Sequence, residues 1–145
     1  MTVVAKLLHR GYNVAVPEVD RGDDLYVVDE RTGEMARVQV KSATGKGKKR
    51  VAGAFNISLA QLETPRQPEL IYVLVLYRDG GWRDYLVIPR DELYRLHFVE
   101  RVGHLTDHGR RVVLHITFTS ESVVCNGVSL AEYRENWRMW PEVRH

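Results

Sequence analysis

Residues 22–42 read Gly-Asp-Asp-Leu-Tyr-Val-Val-Asp-Glu-Arg-Thr-Gly-Glu-Met-Ala-Arg-Val-Gln-Val-Lys-Ser. Two runs rich in β-branched and aromatic residues, 25–29 and 35–42, flank Glu-Arg-Thr-Gly-Glu, which is turn chemistry. The segment predicts a β-hairpin. With Thr32-Gly33 as a two-residue loop, Asp24 faces Lys41 and Tyr26 faces Gln39. Gln39 and Lys41 are two apart and share one side of the sheet, while Val38 and Val40 point to the other. Everything here depends on register, because a one-residue slip sends Asp24 to the opposite face from Lys41. A three-residue loop with a glycine bulge is the alternative that would shift it. A carboxylate, an amide carbonyl and an ammonium at one end of one sheet face suit metal-assisted phosphodiester chemistry. The plainer alternative for Asp24 and Lys41 is a cross-strand ion pair, worth roughly 0.2–1 kcal/mol.

Outward from the hairpin, residues 2–10 place Val3, Val4, Leu7 and Leu8 on one helical stripe that Gly11 stops. Residues 12–16 alternate up to Pro17 and predict a first strand. Residues 44–54 form a basic, glycine-rich loop. A short helix follows over 58–63, with Ser58 and Gln61 at capping-box spacing. Residues 70–77 (Leu-Ile-Tyr-Val-Leu-Val-Leu-Tyr) are apolar on both faces and predict a central buried strand. A turn at Arg-Asp-Gly-Gly leads into a strand over 82–88, and Pro89 opens another short helix. A late strand is expected over 112–119 and a C-terminal helix over 130–139, with Tyr133 and Trp137 on it. Helix, three-strand meander, helix and buried strand together predict an α/β fold: a mixed sheet flanked by helices, with extra C-terminal strands and a helix.

Composition bounds the partners. The chain has 145 residues, 44% of them hydrophobic and 28% charged, which suits one soluble domain spanning 1–145. Net charge is only +2. Its distribution is uneven: between positions 37 and 66, Arg37, Lys41, Lys46, Lys48, Lys49, Arg50 and Arg66 stand against Glu63 alone. Such a local excess suits a polyanion partner, with a solvated loop as the alternative. Cys125 is the single cysteine, so neither a disulfide nor a Cys-based zinc site is expected, and a reducing cytoplasm fits. No apolar run approaches the roughly 20 residues of a membrane span, and no signal peptide is expected.

The order of elements, together with Gly22-Asp23-Asp24-Leu25 and Gln39-Val40-Lys41-Ser42, resembles the PD-(D/E)XK nuclease superfamily. This is the restriction-endonuclease-like fold, which includes Holliday-junction resolvases. The likeness is to small bacterial and phage members with Gln-x-Lys in the third motif, and it is echoed at 8–12, Pro17, 70–77, 87–89 and 133–137. It implies an αβββαβ core and a DNA endonuclease dependent on Mg²⁺ or Mn²⁺. Asp24 would bind the metal, with Asp23 as its substitute. Gln39 takes the place usually held by Glu or Asp, and the peptide oxygen of Val40 would be a further ligand. Lys41 would orient water or stabilise charge on the phosphorane. Lys46, Lys48, Lys49 and Arg50 would contact the DNA backbone, which carries no base information. A homodimer is implied, since cutting two strands takes two sites. One departure is the acid that many relatives carry on the first helix, which here falls at or before Met1.

A rival reading keeps the fold without cleavage, as a nucleic-acid-binding or assembly module; a metal-binding domain with a non-nucleic partner is a third. Gly45-Lys46-Gly47-Lys48 lacks phosphate-loop spacing. His104 and His108 are four apart, but Thr-Asp-His-Gly reads as a turn, so a zinc pair is not expected. His115 alternates within a strand and reads as structural. Ser120, Ser122 and Cys125 have no base-and-acid pattern around them.

Overall fold

The computed structural model describes residues 2–16, 25–78, 81 and 83–137. Helix α1 (Val3–His9) begins at Thr2, whose Oγ1 accepts the Ala5 N–H at 3.2 Å. Gly11, at φ +87°, follows its end. Val3 and Leu7 are buried, but Leu8 is 53% exposed, so the apolar stripe is narrower than its spacing suggested.

Strands β1 (Asn13–Ala15), β2 (Leu25–Val28) and β3 (Met35–Thr44) form an antiparallel meander. After β4 (Val51–Ser58) and helix α2 (Leu59–Glu63), the chain enters β5 (Leu70–Tyr77), which pairs parallel to β3 from Arg37↔Leu70 to Thr44↔Tyr77. Strand β6 (Arg83–Pro89) returns antiparallel to β5. The resulting mixed sheet runs β1-β2-β3-β5-β6. As its apolar octet predicts, β5 is buried on both faces. Helix α3 (Arg90–Phe98) follows, then β7 (His104–Thr106), β8 (Arg111–Phe118), β9 (Val123–Cys125) and β10 (Val128–Ser129). These build a second, wholly antiparallel sheet, β10-β9-β8-β4, with β7 pairing the start of β8 on the side away from β4.

The protein is therefore mixed α/β, but its layers differ from the expected ones. One face of the first sheet packs Val27, Val38, Val73 and Val87 under α1 and Trp137. The other packs Tyr72, Leu74, Leu76 and Leu86 against Phe55, Ile57, Leu114 and Ile116 of the second sheet, with Leu62, Leu93 and Leu96 of α2 and α3. A sheet flanked by helices alone is thus corrected: a second sheet shares one flank. Its strand β4 lies partly in what reads as a loop over 44–54. Val51, Gly53, Phe55 and Ile57 turn inward while Ala52, Ala54 and Asn56 turn out. Glycine and two alanines dilute the strand signal there.

The expected C-terminal helix is also corrected. Ala131–Tyr133 is one 3₁₀ turn, after which Arg134 bridges to Leu86 and the Glu135 N–H donates to the Tyr85 carbonyl at 2.8 Å. Pairing along β6 overrides the helical spacing. Residues beyond Trp137 lie outside the described set. No helix among the described residues is long and apolar enough to cross a membrane.

Candidate functional site

The hairpin closes through Asp29. Its N–H donates to the Glu34 carbonyl at 2.9 Å, and its own carbonyl accepts the Gly33 N–H at 2.7 Å. Its Oδ1 accepts the Arg31 N–H at 2.9 Å. Gly33 sits at φ +74°, where a side chain would be strained. The loop is residues 30–33, not Thr32-Gly33 alone. Leu25 therefore stands opposite Val38, and Tyr26 opposite Arg37 rather than Gln39. The register differs from the expected one by two residues, an even step, so the faces are kept. Asp24 and Asp23, both named from the sequence, lie outside the described residues.

On β3, Gln39 stands beside Tyr72 and Lys41 beside Leu74 of β5. Val38 and Val40 pack on the α1 side, so Gln39 and Lys41 share the opposite face, as period two demands. Lys41 is half-buried. Gln39 is only 7% exposed, and a buried amide needs partners. Helix α2 supplies one: Gln61 Nε2 donates to Gln39 Oε1 at 3.2 Å. The Tyr72 hydroxyl in turn donates to Gln61 Oε1 at 3.0 Å. Burial pushes the Tyr72 phenol well above its ordinary value, so it remains a donor. Gln61 was legible from the sequence only as a capping partner. Its N–H does donate to Ser58 Oγ, at 3.3 Å. Its role toward Gln39 depends on where α2 packs in the fold, which no local pattern announces.

A second buried group steadies the same region. Arg90, 6% exposed, donates from Nε and Nη2 to Glu69 at 2.8 and 3.2 Å and from Nη1 to the Leu62 carbonyl at 2.8 Å. The bonds to Glu69 hold the Arg90 guanidinium above its ordinary value. This fork ties the ends of α2 and α3 to the start of β5.

Beyond Lys41, β3 runs into the basic turn. Lys46 and Ala52 exchange backbone bonds at 3.3 Å, and the Gly45 N–H donates to the Tyr77 carbonyl at 2.7 Å. Gly47, at φ +115°, would bring a Cβ to 2.0 Å from the Arg50 carbonyl oxygen, so the reversal requires glycine. Lys46, Lys48, Lys49 and Arg50 are all exposed.

The remaining histidines and the cysteine sit elsewhere in the fold. His104 lies on β7 and His108 in a turn at φ +55°. His104 instead stacks on His115 with ring centroids 5.1 Å apart. Cys125 is buried, and burial pushes its thiol up, away from a reactive thiolate.

Among the described residues no group of three or more His, Cys, Asp or Glu is placed to hold a metal ion. The donors on β3 are neutral oxygens, the Gln39 amide and the Val40 carbonyl. Hard oxygen donors suit Mg²⁺ or Mn²⁺. The Gln39 and Val40 oxygens are donors of that kind; Asp24 lies outside the described residues. The chain matches no protein-family model, no curated protein and no solved structure.

Proposed function

We propose that the protein is a divalent-metal-dependent nuclease that hydrolyses phosphodiester bonds of DNA. The observation that carries this reading is the placement of Gln39 and Lys41 on one face of β3, the first held by a buried polar network and the second leading into a basic turn. The element order supports it too. Helix α1, the meander β1–β3, helix α2 and the parallel strand β5 follow the αβββαβ sequence of restriction-endonuclease-like folds, with β4 inserted.

In this reading Asp24, Gln39 and the Val40 carbonyl hold the ion. When bound, it would supply charge to polarise the phosphate and acidify a water. Gln61 fixes which way the Gln39 amide faces. Lys41 places a positive charge beside the scissile phosphate and stabilises the charge that grows there. Lys46, Lys48, Lys49 and Arg50 hold the backbone without reading bases.

The test is incubation with supercoiled, linear, single-stranded and branched DNA in Mg²⁺ or Mn²⁺. Wild type is expected to nick, EDTA to stop it, and Asp24→Ala, Gln39→Ala and Lys41→Ala each to cost about 10²–10³-fold, the scale of losing one charge-stabilising group. Cleavage undiminished in Asp24→Ala and Lys41→Ala overturns the assignment.

A second reading is favoured by the neutral Gln39, whose amide oxygen already accepts from Gln61. In it the fold binds or assembles on nucleic acid without cutting. DNA retention would then be salt-sensitive, indifferent to EDTA and free of nicking.

A further inference from the structure

We propose that the basic turn is one wall of a larger phosphate-binding surface: a cleft at the far end of β3 that grips the phosphodiester backbone of a nucleic acid. The cleft has a volume of about 1150 Å³ and is framed by four segments, among them the β8–β9 turn with Thr119, Ser120 and Glu121. Lys48, Lys49 and Arg50 come from the β3–β4 turn, Arg78 and Arg83 from the facing ends of β5 and β6, and Arg134 from the C-terminal turn.

The arginines are held in place. Asp84, 4% exposed, lies between two of them. Arg78 Nη2 is 2.9 Å from its Oδ2, and Arg134 Nη2 and Nε donate to its Oδ1 at 2.9 and 3.2 Å. Arg134 Nη1 also donates to the Thr119 carbonyl at 2.7 Å. The Arg83 guanidinium rests 5.0 Å from the Tyr77 ring centroid. One carboxylate between two guanidinium groups leaves net positive charge on the floor of the cleft. Arg78 Nε and Arg83 Nε are buried donors with no hydrogen-bond partner among the described residues. Planar guanidinium donors held in place are what phosphate oxygens match.

The rim adds to this charge. Lys48, Lys49 and Arg50 are exposed and make no ion pair among the described residues. Of the remaining acids, Glu135 is engaged by Lys6 at 3.0 Å and by Trp137 Nε1 at 2.7 Å, and with Glu121 also in the lining the cleft carries six basic side chains against three acidic ones. A cleft this open and basic fits an extended polyanion better than a small apolar ligand. It also lies in line with β3. Lys41 to Thr44 spans about 10 Å of strand, roughly three nucleotide steps along one strand of a duplex. The choice of nucleic acid as the polyanion rests on the nuclease reading; the affinity of the cleft for anions does not.

The test is anisotropy of a short labelled DNA duplex titrated in EDTA, so that cleavage plays no part, over about 50–200 mM salt. Arg83→Gln should flatten the slope of log affinity against log salt by about 0.9, and Lys48→Gln/Lys49→Gln/Arg50→Gln by up to about 2.7, as lost phosphate contacts do. Circular dichroism melts confirm that each variant is folded. Wild-type affinity and slope in folded variants overturn the proposal. Heparin binding that depends on these residues while DNA binding does not would also overturn it, in favour of a sulfated polysaccharide. Wild-type protein that binds through the cleft but never cuts removes the nuclease reading and leaves this surface standing. Protein that cuts while its cleft variants bind normally does the reverse.

Discussion

At Gln39 the sheet buries an amide beside Tyr72, on the face opposite Val38 and Val40, and such burial is costly unless the polar atoms are bonded. Gln61 links that amide to the Tyr72 hydroxyl. Gln61→Ala should therefore destabilise the protein by about 1–3 kcal/mol, the penalty for stripping buried polar groups of a partner. Urea denaturation measures it, and a change below about 0.5 kcal/mol would mean that water replaces the amide. The shared face of Gln39 and Lys41 was readable because a strand has period two. Their partners were not, because Gln39 meets Gln61 through a crossover and Tyr72 through a parallel pairing, both set by tertiary packing. The placement of Tyr26 opposite Gln39 failed for a smaller reason: Asp29 caps the turn with its side chain and lengthens the loop.

Among the elements, α3 is fastened to the C-terminal turn by an acid. The Tyr133 hydroxyl donates to Glu92 Oε2 at 2.7 Å, and Arg95 Nη2 donates to the same oxygen at 3.1 Å. The Tyr133 bond, and then Arg95, hold the Glu92 carboxyl below its ordinary value. The folded state thus binds this proton less readily than the unfolded chain. The contribution is complete above the ordinary glutamate value near 4.3 and is lost as pH falls through the lower folded value. Tyr133→Phe should cost about 1 kcal/mol at pH 7, at the low end for a bond to a charged group because 34% of the Glu92 side chain stays exposed. Thermal melts from pH 7 to 3 should show the gap between variant and wild type closing in acid. A gap independent of pH would assign the cost to packing. Helices α1, α2 and α3 and strands β5, β6 and β8 were legible because their stops and apolar runs are local. Strand β4 and the C-terminal turn were not, since each takes its shape from a distant strand, β8 and β6 respectively.

For the whole molecule, β5, like β6, contributes to both cores: Val73 faces α1, and Leu74 faces the second sheet. Leu74→Ala should cost about 2–5 kcal/mol as transfer and cavity terms add, read as a lower urea midpoint at unchanged slope. A changed slope would show that the two layers unfold separately. The mixed sheet was foreseen from β5, whose apolar residues need cover on both faces. The identity of that cover was not, because helices and a second sheet hide the same surface equally well. The pairing of Val51 with Phe118 adds a consequence for biosynthesis. A nascent chain that has emerged only as far as α3 holds β4 without its partner β8, and Leu74, Leu76 and Leu86 with one flank only partly covered. Such an intermediate invites chaperone capture or self-association, and a premature stop before residue 118 would yield a sticky, short-lived product rather than a smaller working protein.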